Sequence, residues 1–279
     1  MSAEVAPPEN DDVLRAHGLQ YSYDGSPALR DVALRVGAGE LVTVTGPRGS
    51  GKSTLLACLS GRLPAESGEV ACEGRVLAAL PGRDRERLRR DRFGWVGSRP
   101  ELLPELTAWE NAALPLLLAG VRHRTAKRAA YEWLERLDIA DCARHRPRAL
   151  DIATRQRVAV ARSLVHAPAV VLADEPAAPL HRADRTQVLR TLTSAARSHG
   201  IAVLLTGPEP GAGAGTEQAG TVSADRDYRL ADGLLTPAAP PHQGGAGPEV
   251  AEGTAQADAP GGGNGTDDSK DRAACSLSA

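Results

Sequence analysis

The feature that most constrains the fold of this chain is a glycine-rich segment at residues 46–53, which reads Gly-Pro-Arg-Gly-Ser-Gly-Lys-Ser. It fits the pattern G-x-x-x-x-G-K-[S/T], in which backbone N–H groups surround a phosphate. The β-branched run 41–45 precedes it and predicts a strand, and residues 53–60 follow with leucines at helical spacing. The alternative is a glycine-rich turn that merely starts a helix. The flanking strand and helix favour the phosphate loop.

The order of the predicted strands and helices indicates an α/β protein with a parallel sheet. Besides 41–45, the apolar runs 169–173 and 201–205 predict buried strands. Helices are predicted at 53–60, 107–119, 126–137, 152–165 and 183–198. Strands that alternate with helices are typical of such a sheet. The helices between about residues 100 and 165 predict an inserted helical subdomain.

Both ends of the chain have the composition of disordered segments. Residues 1–12 are acidic and contain proline. Residues 237–279 hold glycine, proline and small polar residues, with Val250 and Leu277 almost the only large apolar side chains. Such segments bury too little apolar surface to offset the entropy of ordering. We therefore expect one compact unit over about 13–236, between a disordered lead and a disordered tail.

Composition argues against several classes of function. The 33 basic and 35 acidic residues nearly cancel, and aromatics make up 3%, which gives no reason to expect nucleic acid as a partner. The arginines of 83–92 are interspersed with acids, which indicates a solvated helix face. Widely spaced cysteines predict neither a zinc site nor a disulfide framework. No apolar run approaches the roughly 20 residues of a membrane-spanning helix.

Two further groups of residues point to nucleotide chemistry. In a phosphate-loop protein the lysine, here Lys52, reaches the β- and γ-phosphates, and the next hydroxyl, here Ser53, holds Mg²⁺. Asp174 follows the apolar run 169–173, and Glu175 follows Asp174. In such proteins an acid at the first of these two positions holds Mg²⁺, and a carboxylate at the second can orient an attacking water. With the loop, this pair indicates a nucleoside-triphosphate site at the carboxyl edge of the sheet.

With these motifs placed, residues 13–236 resemble an ATP-binding cassette ATPase of the lipoprotein-release, macrolide-export and cell-division type. The segments that carry the resemblance are 28–32, 39–40, 93–96, 102–111, 145–147, 155–162 and 172–176. The resemblance implies a phosphate-loop NTPase core with a RecA-like parallel sheet, an N-terminal antiparallel β subdomain and an inserted helical subdomain. It also implies a dimer, in which each ATP lies between one chain's phosphate loop and the other chain's signature loop.

The resemblance further implies ligands, partners and a location. ATP and Mg²⁺ are the implied ligands, with Ser53 and Asp174 holding the metal and Glu175 as the catalytic residue. Tyr23 matches the aromatic that stacks on adenine, and the alternative is a tyrosine on a strand face. The implied nucleotide-binding residues are Tyr23, Gly46, Pro47, Arg48, Gly49, Ser50, Gly51, Lys52, Ser53, Thr54 and Asp174. The implied partners are an integral-membrane permease and a second cassette chain, identical or different. The implied location of the chain is cytoplasmic, at the inner face of the plasma membrane, where the permease holds it.

The sequence departs from the family at the signature loop. Residues 150–154 read Leu-Asp-Ile-Ala-Thr, where the family has Leu-Ser-Gly-Gly-Gln/Glu. We expect Asp151 to cap the following helix and to occupy the N–H groups that would otherwise face the partner's γ-phosphate. Its charge also repels phosphate, and Ile152 and Ala153 block the close backbone approach that glycine permits.

Three other family positions are altered, which leaves two functions open. Ser98, His181 and Gly207 stand where the family has glutamine, aspartate and histidine. The retained loop favours the ATP-binding subunit of a membrane transporter with impaired hydrolysis. The altered positions favour a non-hydrolysing, ATP-gated regulatory or scaffold subunit. Soluble DNA-repair and translation members fit poorly, because the chain has neither zinc motifs nor a second cassette.

Overall fold

The computed structural model of the protein describes residues 12–209 and 223–238. The predicted disordered ends lie outside this part, apart from Asp12, Pro237 and Ala238. The strands are β1 (Asp12–Tyr23), β2 (Ser26–Gly37), β3 (Leu41–Gly46), β4 (Ser67–Cys72), β5 (Arg75–Val76), β6 (Phe93–Val96), β7 (Val170–Ala173), β8 (Ala202–Pro208), β9 (Arg226–Ala231) and β10 (Leu234–Pro237). The α-helices are α1 (Lys52–Leu59), α2 (Gly82–Arg92), α3 (Ala108–Leu118), α4 (His123–Arg136), α5 (Ile152–Leu164) and α6 (Arg182–His199).

The larger sheet has the strand order β10-β9-β3-β8-β7-β6. All neighbouring strands from β9 to β6 run parallel, and β10 is antiparallel to β9. The predicted α/β class is thereby confirmed. In register, Thr45 of β3 lies beside Gly207 of β8, and Leu205 of β8 lies beside Ala173 of β7. The carboxyl ends of these three strands therefore meet at one edge, where open α/β sheets bind their ligands.

The smaller sheet is antiparallel, with the order β2-β1-β4-β5. It confirms the N-terminal antiparallel β subdomain that the resemblance implies. Helix α1 joins the two sheets into one core, because Leu55 and Leu59 share an apolar cluster with Leu14 of β1 and Val44 of β3. All four side chains are fully or almost fully buried. This packing fixes the helix that follows the glycine-rich loop.

Helices α3, α4 and α5 pack on one another through a second apolar cluster. Helix α3 begins with a capping box, in which the Glu110 carboxylate accepts from the backbone N–H of Thr107 at 2.8 Å. Helix α2 carries the arginines of 83–92 and buries only Leu88 among its described residues. The prediction of a solvated helix face is therefore confirmed.

We predict that residues 239–279 are dispensable for folding. Their composition offers no core, and a chain that ends at Ala238 keeps the last described backbone hydrogen bond, from Ala238 N–H to the Asp227 carbonyl at 2.8 Å. Its melting temperature should stay within about one or two degrees of that of the full chain. A chain that ends at Ala231 is the matched control, because it loses β10 and should melt lower. A drop of many degrees for the first truncation would contradict the prediction.

Candidate nucleotide site

The glycine-rich loop leaves β3 at Gly46 and enters α1 at Lys52. Gly49 and Gly51 have φ angles of 82° and 103°, in the left-handed region that favours glycine. A Cβ atom at Gly51 would also lie 2.4 Å from the Ala28 carbonyl oxygen, so the strand behind the loop excludes any side chain there. The loop thus turns sharply enough to direct its backbone into the N-terminus of α1.

The Lys52 side chain is buried within this loop, with 6% of its surface exposed. Its Nζ atom donates to the carbonyl oxygens of Gly46 at 2.9 Å and Pro47 at 3.0 Å. It also lies 3.3 Å from Oε1 of Glu175. Lys52 and Glu175, which are 123 residues apart, therefore meet at one ammonium group. Because the surroundings of this group hold little water, its charge acts on a nearby anion more strongly than in bulk solvent.

The N-terminus of α1 suits a phosphate. Its first backbone N–H groups follow the glycine-rich loop, and helix N-termini of this kind bind phosphate oxygens. Ser50 lies inside the loop. Its side chain is buried, its Oγ atom finds no hydrogen-bond partner among the described residues, and it faces neither of the two clefts described next.

The two acids follow β7 and are held by a residue of the neighbouring strand. The Thr206 hydroxyl of β8 donates to Oδ1 of Asp174 at 2.9 Å and accepts from the backbone N–H of Glu175 at 3.0 Å. Glu175 has a φ of 44°, which is uncommon for a residue other than glycine. The sequence analysis missed Thr206. Its only signal is its position near the end of a buried strand at the ligand edge.

These residues line one cleft with a volume of about 530 Å³, within the range of 300–1,000 Å³ that is usual for ligand pockets. Its lining residues are Tyr23, Ser26, Pro27, Ala28, Arg48, Gly49, Gly51, Lys52, Ser53, Thr54, Ser98, Asp174 and Glu175. A second cleft adjoins it and adds Gly46, Pro47, Arg99 and Glu209. Of the predicted set, only Ser50 lines neither.

Tyr23 ends β1 with nearly half of its side chain exposed, and its hydroxyl lies 3.3 Å from Oγ1 of Thr54. The ring also packs edge-on against Tyr21, with the two centroids 4.9 Å apart, and it lines the cleft beside the loop. Ser53 and Asp174 offer a hydroxyl and a carboxylate oxygen to the same cleft. Oxygen donors of this kind suit Mg²⁺, which keeps several waters and binds one or two protein groups plus phosphates. The donor set fits that ion.

The altered positions adopt ordinary structural roles. Oδ1 of Asp151 accepts from the Thr154 N–H at 2.6 Å, which confirms the predicted cap of α5. This backbone hydrogen bond lowers the pKa of Asp151 below its usual value. The side chain of Ile152 is exposed at the same helix end. His181 precedes α6 without a side-chain cap bond, and a Cβ at Gly207 would meet nothing within 4 Å.

A protein-family model described as ABC transporter matches residues 29–178. The chain belongs to the ABC transporter family. It is the ATP-binding subunit of such a transporter, and membership implies a membrane permease as its partner. Within the described residues no helix is long and apolar enough to cross a membrane.

The relatives of this ABC transporter subunit cover most of its length. It is 40% identical over 200 residues to the lipoprotein-releasing system ATP-binding protein LolD 2 of Caulobacter vibrioides, covering 70% of this chain and 88% of the relative. It is 33% identical over 223 residues to LolD of Porphyromonas gingivalis, covering 80% and 98%. Among solved structures, the dimeric ATP-binding cassette MJ0796 bound to ADP and phosphate aligns with a TM-score of 0.71 at 27% identity, over 80% and 98% of the two chains.

We predict that Thr206→Val destabilises the cassette. The substitution keeps the shape of the side chain but leaves the Glu175 N–H without its partner at 3.0 Å. Loss of a buried partner costs about 1–3 kcal/mol of unfolding free energy. Thr206→Ser keeps the hydroxyl and should retain most of the stability. Equal denaturation midpoints for Thr206→Val and the unmodified chain would show that the hydroxyl holds nothing in place.

Proposed function

We propose that this chain binds Mg-ATP in the cleft around Lys52 and transmits its nucleotide state to a separate membrane permease, and that its own hydrolysis is weak. The observation that carries the proposal is the meeting of Lys52 with Glu175 at 3.3 Å inside a complete phosphate loop. Burial of an ammonium group costs free energy. A lysine that bound no phosphate would therefore be more stable with its ammonium group in solvent, outside the loop.

Each residue of the cleft has a task that its position supports. Lys52 contacts the β- and γ-phosphates. Ser53 and Asp174 hold Mg²⁺, which when bound neutralises charge on the phosphate oxygens. Tyr23 offers a ring face to the adenine. Glu175, fixed through its backbone N–H by Thr206, orients the attacking water.

We attribute the weak hydrolysis to the residues at the start of α5. In the dimer that the family forms, this loop faces the γ-phosphate held by the other chain. Asp151 already uses the Thr154 N–H, and it carries a charge of the same sign as phosphate. In a homodimer both ATP sites would contain this loop. Beside a different cassette with an intact signature, only one of the two sites would be impaired.

The relatives favour one class of transporter. Several are named as ATP-binding proteins of lipoprotein-releasing systems. We therefore infer an export or lipoprotein-release complex, with the chain held at the inner face of the plasma membrane by its permease. The measurement is affinity purification of the tagged full chain from native membranes. Recovery of the chain without an integral-membrane permease would contradict this assignment.

A second candidate is a non-hydrolysing subunit that gates a transmembrane complex by binding ATP. Asp151 favours it, because a carboxylate at this position repels phosphate and uses the Thr154 N–H itself. Steady-state ATPase assays with and without the permease distinguish the two. Turnover that rises when the permease is added indicates a transporter ATPase, whereas ATP binding without turnover in either state indicates the gating subunit.

A further inference from the structure

The segment 97–101 runs along the nucleotide cleft and is anchored twice by side chains of α5. Nε2 of Gln156 donates to the Gly97 carbonyl at 2.7 Å, and Nη1 of Arg162 donates to the Glu101 carbonyl at 2.7 Å. Gln156 is fully buried. Two anchors on one helix leave the residues between them little freedom, so their position in the cleft is built into the fold.

Arg99 lies between these anchors and lines the second cleft, which adjoins the nucleotide cleft and shares Lys52 and Glu175 with it. Pro100 follows it and favours an extended backbone at Arg99. The Arg99 side chain makes no hydrogen bond or ion pair with any residue of 12–209 or 223–238, and it is exposed. Its charge is therefore presented to the cleft without a counterion from the described part of the chain.

The two acids that line the second cleft are already paired with basic side chains. Glu175 pairs with Lys52 at 3.3 Å, and Glu209 pairs with Arg229 at 2.6 Å. The guanidinium of Arg99 thus adds an uncompensated positive charge next to the loop lysine. An anion placed beyond Lys52 would be bound by both groups.

Long polar side chains are missing at the two positions where the resemblance implies glutamine and histidine. Ser98 lines both clefts with a short hydroxyl side chain, and Gly207 has no side chain. A guanidinium presents several N–H donors in a fork that matches phosphate oxygens. Arg99 supplies such a fork in the second cleft, next in sequence to the short side chain of Ser98.

We propose that Arg99 binds the terminal phosphate of ATP and makes the site prefer ATP to ADP. This inference rests on the proposed function, since it requires the nucleotide to lie in the cleft around Lys52. ADP lacks the phosphate that Arg99 contacts, so the residue contributes to the binding of ATP alone.

The test is calorimetric titration of the full chain with Mg-ATP and, separately, with Mg-ADP. Arg99→Gln should weaken ATP binding about tenfold, the equivalent of about 1.4 kcal/mol, and should change ADP binding less than about twofold. Arg99→Lys keeps the charge and should recover part of the loss. Arg83→Gln is the matched control, because Arg83 is exposed on α2 and does not line the cleft.

The possible outcomes separate this inference from the proposed function. Equal effects of Arg99→Gln on ATP and ADP, or no effect on either, would overturn the role of Arg99 while nucleotide binding stands. Failure of the unmodified chain to bind either nucleotide would overturn both. A loss of ATP affinity that Arg83→Gln reproduces would mean a general electrostatic effect and would also reject the assignment to Arg99.

Discussion

Lys52→Ala should weaken the binding of Mg-ATP by ten- to hundredfold. The substitution removes an ammonium group that donates hydrogen bonds to two carbonyl oxygens of the loop and lies 3.3 Å from Oε1 of Glu175. Charge-assisted hydrogen bonds to phosphate are worth about 1.5–3 kcal/mol each, which corresponds to that range of affinity. Isothermal titration calorimetry of the full chain measures it directly.

The chain offers a matched control for this measurement. Lys127 is another of its three lysines, and it lies over the rings of Trp109 and Tyr131, outside the cleft. Lys127→Ala should leave nucleotide affinity unchanged. Melting temperatures of both variants identify any effect of unfolding. If the Lys52→Ala variant folds and its affinity for Mg-ATP is unchanged, this cleft is not the ATP site.

Restoring the altered positions should recover first ATP-dependent dimerisation and then ATP hydrolysis, in two separable steps. The unmodified chain is expected to turn over ATP well below about 1 s⁻¹, the low end of ordinary enzyme rates. Replacing Asp151, Ile152 and Ala153 by Ser, Gly and Gly should permit ATP-dependent dimerisation, measured by light scattering. Adding Gly207→His should then raise turnover by about 10²–10³, the usual effect of one preorganised transition-state contact.

The structure supports each of these replacements. Serine caps a helix about as well as aspartate, so α5 should still begin at residue 152. A Cβ atom at position 207 meets nothing within 4 Å, so the first carbon of a histidine side chain fits there without a clash. Both variants should therefore fold, and their melting temperatures verify it.

The effects of charge and of side-chain shape at the signature loop can also be measured separately. Two like charges about 4 Å apart cost about 1 kcal/mol in water and about 4 kcal/mol at an effective dielectric constant of 20. The cap bond lowers the pKa of Asp151, so mild acid does not remove this charge. Asp151→Asn removes the charge and keeps a capping side chain. If the unmodified chain already dimerises with ATP and turns over at about 1 s⁻¹ or faster, the altered positions are not defects.

The local part of the site is predictable from sequence, and its long-range contacts are not. The phosphate loop is one continuous segment between a strand and a helix, so its pattern contains all the necessary residues. The cap at Asp151 is equally local, since donor and acceptor lie three residues apart. Both predictions depend on backbone rules that hold in any fold.

Thr206 and Arg99 could not be predicted in the same way. The contact of Thr206 with Asp174 exists because β8 lies next to β7 in the sheet, and strand order is not visible in a single sequence. The position of Arg99 depends on two anchors from a helix that starts about fifty residues later in the chain. Neither residue belongs to a recognisable local pattern.

Helix α5 begins at the altered signature and also holds segment 97–101 by Gln156 and Arg162. Because two hydrogen bonds join this segment to α5, the segment moves with the helix as one rigid body. Displacing the start of α5 must therefore move the wall of the nucleotide cleft, and closing the cleft must move α5. This mechanical coupling does not depend on the altered residues. Whatever its rate of hydrolysis, the chain keeps a rigid connection between its signature end and its nucleotide cleft.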